Sequence, residues 1–273
     1  MSSVESDPVF VHGILHRSGT NFLFQLLRLH PDLAPGRDRV YEDGFLTHSD
    51  DLFQFVETVR SHWDPSWELP EDTGDELLRH LGDGLLSFLT EDRERRLLVK
   101  NPRVRHLGRF FSLFPTARLI VLLRDGRSVV HSGMASFGWD LAVGARWWAE
   151  AADEVADFLG TSRGRAGCLL VHYEELVADL RPQVERILDF AGLDRAAFDF
   201  EQAERLPVHG SSEFFGPNGA SVQWRPVARD ETFEPRYRWR DWSREMHDEF
   251  WAIAGAQMRR LGYTQDAPPA AAG

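Results

Sequence analysis

The chain has 273 residues, of which 42% are hydrophobic and 27% charged, and its formal net charge is −12 at pH 7. These are globular values that exclude an intrinsically disordered chain, and the acidic surface disfavours general binding of nucleic acid or anionic lipid. The single cysteine, Cys168, excludes an internal disulfide, and no apolar run reaches the roughly 18 residues of a membrane-spanning helix.

Short apolar runs predict buried strands at residues 9–15, 97–99, 118–123 and 168–171. Helical spacing predicts helices at 21–29, 148–159, 184–191 and 243–261, and a capping box of Thr73 and Glu76 predicts another. Because the strands are apolar throughout and alternate with helices, we predict a three-layer α/β fold in which helices flank a central parallel sheet. Ligands of such sheets bind where the strands end, so the loops after the strands are the candidate sites.

The loop after the first predicted strand has the features of an anion-binding loop. It contains Arg17, Ser18, Gly19 and Thr20 in succession before a helix begins. Glycine lets the backbone approach an anion, the N–H groups of a helix N-terminus point towards it, and the arginine and hydroxyls add donors. No lysine follows Gly19, so the Walker A spacing is absent and magnesium-dependent triphosphate chemistry is disfavoured. An ordinary strand–helix turn is the alternative.

Two further loops place cations at predicted strand ends. Lys100, the only lysine among 31 basic residues, follows the second strand, and a compact ammonium differs from a guanidinium at a crowded reacting centre. Arg124 follows the next strand, and Ser132 lies two helical turns further on, after an expected N-cap at Asp125. We expect Arg124 and Ser132 to clamp one phosphate from two sides. The alternatives are a surface lysine and an Arg124–Asp125 ion pair.

Together, these segments resemble the family of sulfotransferases that use 3′-phosphoadenosine 5′-phosphosulfate (PAPS). The resembling motifs lie at residues 17–20, 100–103, 114–120, 124–132, 171–176, 211–224, 233–242 and 261–263. The Arg-Asp-Gly-Arg motif at 124–127 is closer to the tyrosylprotein and glycan branches than to the cytosolic phenol branch. The resemblance implies a P-loop-like fold with a single domain over residues 8–264, and we expect disordered ends at 1–7 and 265–273.

The resemblance also implies roles for individual residues. The implied nucleotide-binding residues are Arg17, Ser18, Gly19, Thr20, Asn21, Arg124, Ser132, Tyr173, Ser211 and Ser212. Of these, the loop holds the 5′-phosphosulfate, Arg124 and Ser132 hold the 3′-phosphate, and Tyr173 lies by the adenine. Arg17, Lys100 and a serine, Ser211 or Ser212, stabilise charge on the transferring group and the bridging oxygen. No metal is implied.

The catalytic base differs from that of the cytosolic branch, because Asn101 follows Lys100 where that branch has a Lys-Thr-His segment. In the tyrosylprotein branch the base is a glutamate shortly after the first helix. Glu42 is therefore our first choice, followed by Asp43 and then His16. A solvated loop carboxylate is the alternative interpretation of Glu42.

We therefore predict an enzyme that transfers a sulfuryl group from PAPS to a hydroxyl of a small-molecule acceptor and releases 3′,5′-adenosine bisphosphate (PAP). Candidate residues for an acceptor pocket are Phe45, Trp63, Trp67, Phe137, Trp139, Trp147 and Trp148, although we favour core packing for the last two. We expect a cytoplasmic location without nucleic-acid or membrane partners, and the oligomeric state stays open. The alternatives are a nucleotide-dependent kinase of similar topology, an inactive PAP-binding protein and an interaction domain on this scaffold.

Overall fold

The computed structural model describes residues 7–40, 42–207 and 236–265. Within these ranges the strands are β1 (Val9–Gly13), β2 (Leu33–Pro35), β3 (Arg96–Asn101), β4 (Arg118–Leu123) and β5 (Cys168–His172). They form one sheet of order β2-β3-β1-β4-β5, and every neighbouring pair is parallel. The predicted parallel sheet is confirmed.

Helices cover both faces of this sheet. In the described ranges they are α1 (Thr20–Leu27), α2 (Ser49–Ser61), α3 (Thr73–Leu89), α4 (Phe110–Leu113), α5 (Gly126–Phe137), α6 (Leu141–Gly160), α7 (Ser162–Gly167), α8 (Tyr173–Ala178), α9 (Leu180–Ala191), α10 (Phe200–Arg205) and α11 (Arg244–Arg260). Short 3₁₀ turns lie at Pro65–Trp67, Leu107–Arg109, Arg195–Ala197 and Arg238–Asp241. None of these helices combines the length and apolarity that a bilayer crossing needs.

Two hydrophobic clusters lie on opposite faces of the sheet, because successive side chains of a strand point in opposite directions. In β4, Leu119, Val121 and Leu123 pack into one cluster with side chains of α4, α5, α6 and α11. Ile120 and Leu122 pack into the other, with side chains of α1, α8 and α9. Strands buried on both faces are apolar without alternation, which is the pattern that the sequence shows.

Several predicted boundaries differ from the structure. The first strand ends at Gly13 and not at residue 15, because the chain turns there and the Leu15 N–H donates to Ser18 Oγ at 3.1 Å. The Thr73 cap is wrong: Thr73 is the first residue of α3, and its hydroxyl donates to Pro70 O at 2.7 Å. Edge strand β2 was not predicted, since three residues are too few for a periodic signal.

Strand β1 lies between β3 and β4, and the chain moves to one side of β1 before it crosses to the other. The crevice at the carboxyl ends of these central strands is where open α/β sheets bind ligands. Three cations lie at this crevice: Arg17 in the loop between β1 and α1, Lys100 near the end of β3, and Arg124 directly after β4.

Candidate active site

The loop between β1 and α1 is held in a strained shape that exposes backbone N–H groups. Arg17 has φ 76° and Gly19 has φ 97°, both in the left-handed region that costs a non-glycine residue about 1–3 kcal/mol. Ser18 is fully buried, and its hydroxyl bridges the N–H and carbonyl of Leu15, so it shapes the turn. The N–H groups of Gly19, Thr20 and Asn21 donate to no acceptor in the described ranges and are available to an anion.

Position 19 also requires glycine because the ring of Tyr173 leaves no room for a side chain there. A Cβ atom on Gly19 would lie 2.5 Å from Tyr173 Cε2, so any side chain there would displace the ring. Tyr173 is buried, and the Arg124 guanidinium lies 4.4 Å from its ring centroid. The ring therefore supports both the loop and Arg124. Its contact with adenine stays a prediction.

Arg17 is hydrogen-bonded to two other predicted phosphate ligands, to one through its side chain and to the other through its backbone carbonyl. Its Nε donates to Ser132 Oγ at 3.0 Å, and its carbonyl accepts from Arg124 Nη1 at 2.7 Å. The structure thus brings Arg17, Arg124 and Ser132 together. The alternative ion pair between Arg124 and Asp125 does not form, because Asp125 pairs with Arg127 at 2.7 Å. The predicted N-cap is confirmed, since Asp125 accepts from the Arg127 N–H at 2.8 Å.

Lys100 and Glu42 face each other at the end of β3. The Lys100 Nζ lies 3.6 Å from Glu42 Oε1, and the side chains are 11% and 44% exposed. Burial lowers the pKa of Lys100, and the opposing attraction of Glu42 offsets part of that shift. The carboxylate of Glu42 is therefore next to a buried cation and still open to a ligand.

The other two base candidates, His16 and Asp43, differ from Glu42 in their burial and hydrogen bonds. Arg103 Nε donates to His16 Nε2 at 2.9 Å, so a neutral His16 carries its proton on Nδ1. Neither ring nitrogen is then free to accept a proton from an acceptor hydroxyl. Burial, followed by the charge of Arg103, also lowers the pKa of His16. Asp43 Oδ1 accepts from the Phe45 N–H at 2.8 Å, and burial raises the pKa of Asp43 to about 6. Its Oδ2 is buried and has no hydrogen-bond partner in the described part of the chain.

Comparison with known proteins identifies the group to which this arrangement belongs. The sequence profile of the Sulfotransferase family matches residues 8–197, which include all three cationic loops. The chain belongs to the sulfotransferase family. The resemblance drawn from the loop motifs is confirmed.

Curated relatives and solved structures agree with this assignment. The sulfotransferase is 27% identical over 216 residues to protein-tyrosine sulfotransferase A of Caenorhabditis elegans. This match covers 70% of this chain and 53% of the relative. It is 27% identical over 245 residues to the protein-tyrosine sulfotransferase of Drosophila melanogaster, over 83% of this chain and 44% of the relative. Across four such relatives, the match spans 44% to 65% of their length.

The fold is also that of sulfotransferases of known structure. The sulfotransferase domain of the Synechococcus PCC 7002 olefin synthase aligns with a TM-score of 0.58 at 23% identity, over 98% of this chain and 99% of that one. The sulfotransferase of Alicyclobacillus acidocaldarius aligns with a TM-score of 0.51 at 17% identity, over 94% and 95% of the two chains. The predicted P-loop-like α/β fold is confirmed.

A cavity of about 850 Å³ opens beside the Lys100–Glu42 pair of the sulfotransferase, and Asn21 and Asp43 also line it. On its wall, Arg37 lies 3.4 Å from Glu91 and Arg95 lies 2.7 Å from Asp92. These two arginines of the cavity wall are therefore each paired with a carboxylate.

Two predicted nucleotide-binding residues, Ser211 and Ser212, lie outside the described residues.

The two neighbouring tryptophans of the predicted acceptor pocket differ in exposure. Trp148 is fully buried as predicted, whereas the core packing predicted for Trp147 is wrong, because that side chain is 44% exposed. In the described ranges, no group of three or more His, Cys, Asp or Glu side chains has an arrangement that could hold a metal ion.

Sequence reasoning missed a buried polar network behind the site. The Arg127 guanidinium lies 3.6 Å from the Trp239 ring centroid and donates to Thr264 O and Gln265 O at 3.2 and 2.9 Å. Glu174 accepts from the Asp125 N–H at 2.9 Å and from the Tyr263 hydroxyl at 3.1 Å. The only sequence signal was that Arg127, Glu174, Trp239 and Tyr263 lie in the resembling motifs, which assigned none of these four a role.

Proposed function

We propose that this sulfotransferase transfers the sulfuryl group of PAPS to a hydroxyl of a small-molecule acceptor and releases PAP. The observation that carries this proposal is the convergence of Arg17, Lys100 and Arg124 on one crevice, with Glu42 3.6 Å from Lys100. These three cations, next to free loop N–H groups, suit a donor that carries phosphate at two positions.

The donor's two ends have separate binding groups in this proposal. The N–H groups of Gly19, Thr20 and Asn21 and the side chain of Arg17 hold the 5′-phosphosulfate. Arg124 and Ser132 hold the 3′-phosphate, and both already contact Arg17. The two phosphate sites are therefore joined through one residue, which favours a donor that carries both groups.

Transfer requires an acceptor oxygen to attack sulfur as the bond to the bridging oxygen breaks. Glu42 takes the proton of the acceptor hydroxyl, a role typically worth about 10²–10⁴-fold in rate. Lys100 and Arg17 stabilise the negative charge that develops on the bridging and transferring oxygens. The oxygen–sulfur bond to the acceptor forms, and PAP leaves with the electron pair of the broken bond.

The choice of a small-molecule acceptor goes beyond what the relatives indicate, because the curated relatives cited above are named for protein tyrosine. The cavity beside Glu42 supports it, since its 850 Å³ lies within the range of small-molecule sites. A cytoplasmic location and a single domain over residues 8–264 stay predictions.

Donor turnover with an acceptor panel tests this function. PAPS is supplied with an alcohol, a phenol, a glycan or a tyrosine-containing peptide, and PAP formation is followed. We expect PAP formation that depends on at least one small-molecule acceptor. Turnover with the peptide alone would overturn the small-molecule acceptor, and failure to bind PAP would overturn the donor assignment.

A further inference from the structure

Three aromatic side chains form a continuous cluster beside the anion-binding loop. The ring centroids of Phe137 and Trp139 lie 5.7 Å apart, and those of Trp139 and Trp147 lie 5.4 Å apart. Phe137 is 48% exposed and Trp147 is 44% exposed, whereas Trp139 is partly buried against the core. A contiguous group of exposed apolar side chains marks a binding surface, which scattered ones do not.

A glycine inside α5 makes room for this cluster. A Cβ atom on Gly133 would lie 1.9 Å from Cε3 of the Trp139 indole, so any side chain there would displace the indole. Glycine is less stable than alanine inside a helix. Helix α5 therefore gives up stability at this position and seats Trp139, which in turn supports the two exposed rings.

The cluster is continuous with the place where transfer occurs. The Phe137 ring centroid lies 5.6 Å from Arg17 Cζ and 6.3 Å from the His16 ring centroid. The charges of Glu42 and Lys100 both influence the pKa of His16, so this pair lies within electrostatic range of the His16 ring. An acceptor whose hydroxyl reaches Glu42 can therefore extend its body past His16 onto Phe137.

We propose, on the basis of the sulfuryl-transfer function above, that Phe137 and Trp147 bind the aromatic body of an aryl acceptor. Aromatic rings favour offset-stacked or edge-to-face neighbours with centroids 4.5–7 Å apart. Within the cluster, Trp139 and Trp147 lie edge-to-face at 88° and Phe137 and Trp139 are tilted by 31°, so these rings already pack as aromatic neighbours. The exposed rings of Phe137 and Trp147 offer the same kind of contact to an aryl group. A saccharide would also need polar partners, but the carboxylate of Asp140 is already used to cap α6 through the Val143 N–H.

Calorimetric titration of the protein–PAP complex tests the platform without requiring turnover. The probes are 2-naphthylmethanol, its fully saturated counterpart and methyl glucoside, each of which offers an aliphatic hydroxyl. We expect the naphthyl alcohol to bind at least about tenfold more tightly than either of the others. Phe137→Ala and Trp147→Ala should each weaken its binding by about tenfold, as expected for the loss of an aromatic contact.

The matched control is Phe55→Ala, whose side chain is 53% exposed elsewhere on the surface. This variant should bind the naphthyl alcohol as the wild type does. Equal binding of the saturated alcohol or the glucoside overturns the platform, as does a loss no larger in Phe137→Ala and Trp147→Ala than in the control. Failure of the wild type to bind PAP would instead refute the proposed function.

Discussion

Arg17 and Ser132 are separated by 115 positions in the sequence, yet Arg17 Nε donates to Ser132 Oγ at 3.0 Å. This bond connects the loop after β1 to the second turn of α5. Because Arg17 has a strained backbone, the contacts of its side chain and its carbonyl must hold the loop in shape. The loop is therefore arranged for an anion before any ligand arrives.

Ser132→Ala should weaken PAP binding by about tenfold or more and lower turnover, because a hydrogen bond to a charged group contributes about 1.5–3 kcal/mol. Ser136→Ala, on the same helix, is the matched control, since the Ser136 hydroxyl is buried without a partner in the described part of the chain. Calorimetry with PAP checks both variants. If both lose the same affinity, the Arg17–Ser132 bond has no role in binding.

Arg124→Ala should weaken PAP far more than adenosine 5′-phosphosulfate, which lacks the 3′-phosphate. Some loss is expected for both ligands, because Arg124 also supports the carbonyl of Arg17. The difference between the two losses should reach about tenfold or more, since charge-assisted phosphate contacts are the strong ones. Equal losses in a competition titration would rule out the 3′-phosphate role.

Glu42→Gln should reduce turnover by about 10²–10⁴-fold and leave PAP binding unchanged, because it removes the proton acceptor and keeps the shape of the side chain. Glu91→Gln is the matched control, since Glu91 lies on the same cavity wall and pairs with Arg37. Steady-state kinetics with PAPS and an active acceptor measures the effect. A large loss in Asp43→Asn with none in Glu42→Gln would transfer the role of base to Asp43.

Glu174→Gln should change the pH dependence of stability. Burial raises the pKa of Glu174 from 4.5 to about 7, so the folded protein binds this proton more tightly than the unfolded chain does. The contribution of Glu174 to stability is therefore full below pH 4.5, falls between about pH 4.5 and 7, and is lost above. The melting temperature of the variant, relative to that of the wild type, should rise across this range. A constant difference between pH 5 and pH 8 would contradict the assignment.

The sheet and the three cationic loops were predictable because each rests on local sequence. Uniformly apolar runs identified four strands, and the cations at their ends could be placed in one crevice from the topology of parallel sheets alone. The α5 cap at Asp125 follows from the preference of aspartate for the N-cap position, and it is confirmed.

What the sequence could not predict are contacts between residues far apart in the chain. Nothing in the sequence indicates that Arg17 binds Ser132 rather than solvent, or that Arg103 occupies Nε2 of His16. Trp147 and Trp148 are neighbours in a helix with opposite exposures, and only the packing of α6 against α5 and α11 decides which of them is buried.

The most direct test of the account is the melting temperature of the protein with saturating PAP, ATP–magnesium or adenosine 5′-phosphosulfate. A ligand at about 100 times its Kd adds about 2.7 kcal/mol of stability, which should shift the midpoint by several degrees for a chain of this size. We predict that PAP gives the largest shift and that ATP–magnesium gives none of similar size. A shift with ATP–magnesium and none with PAP would contradict the sulfuryl-donor assignment and favour a kinase.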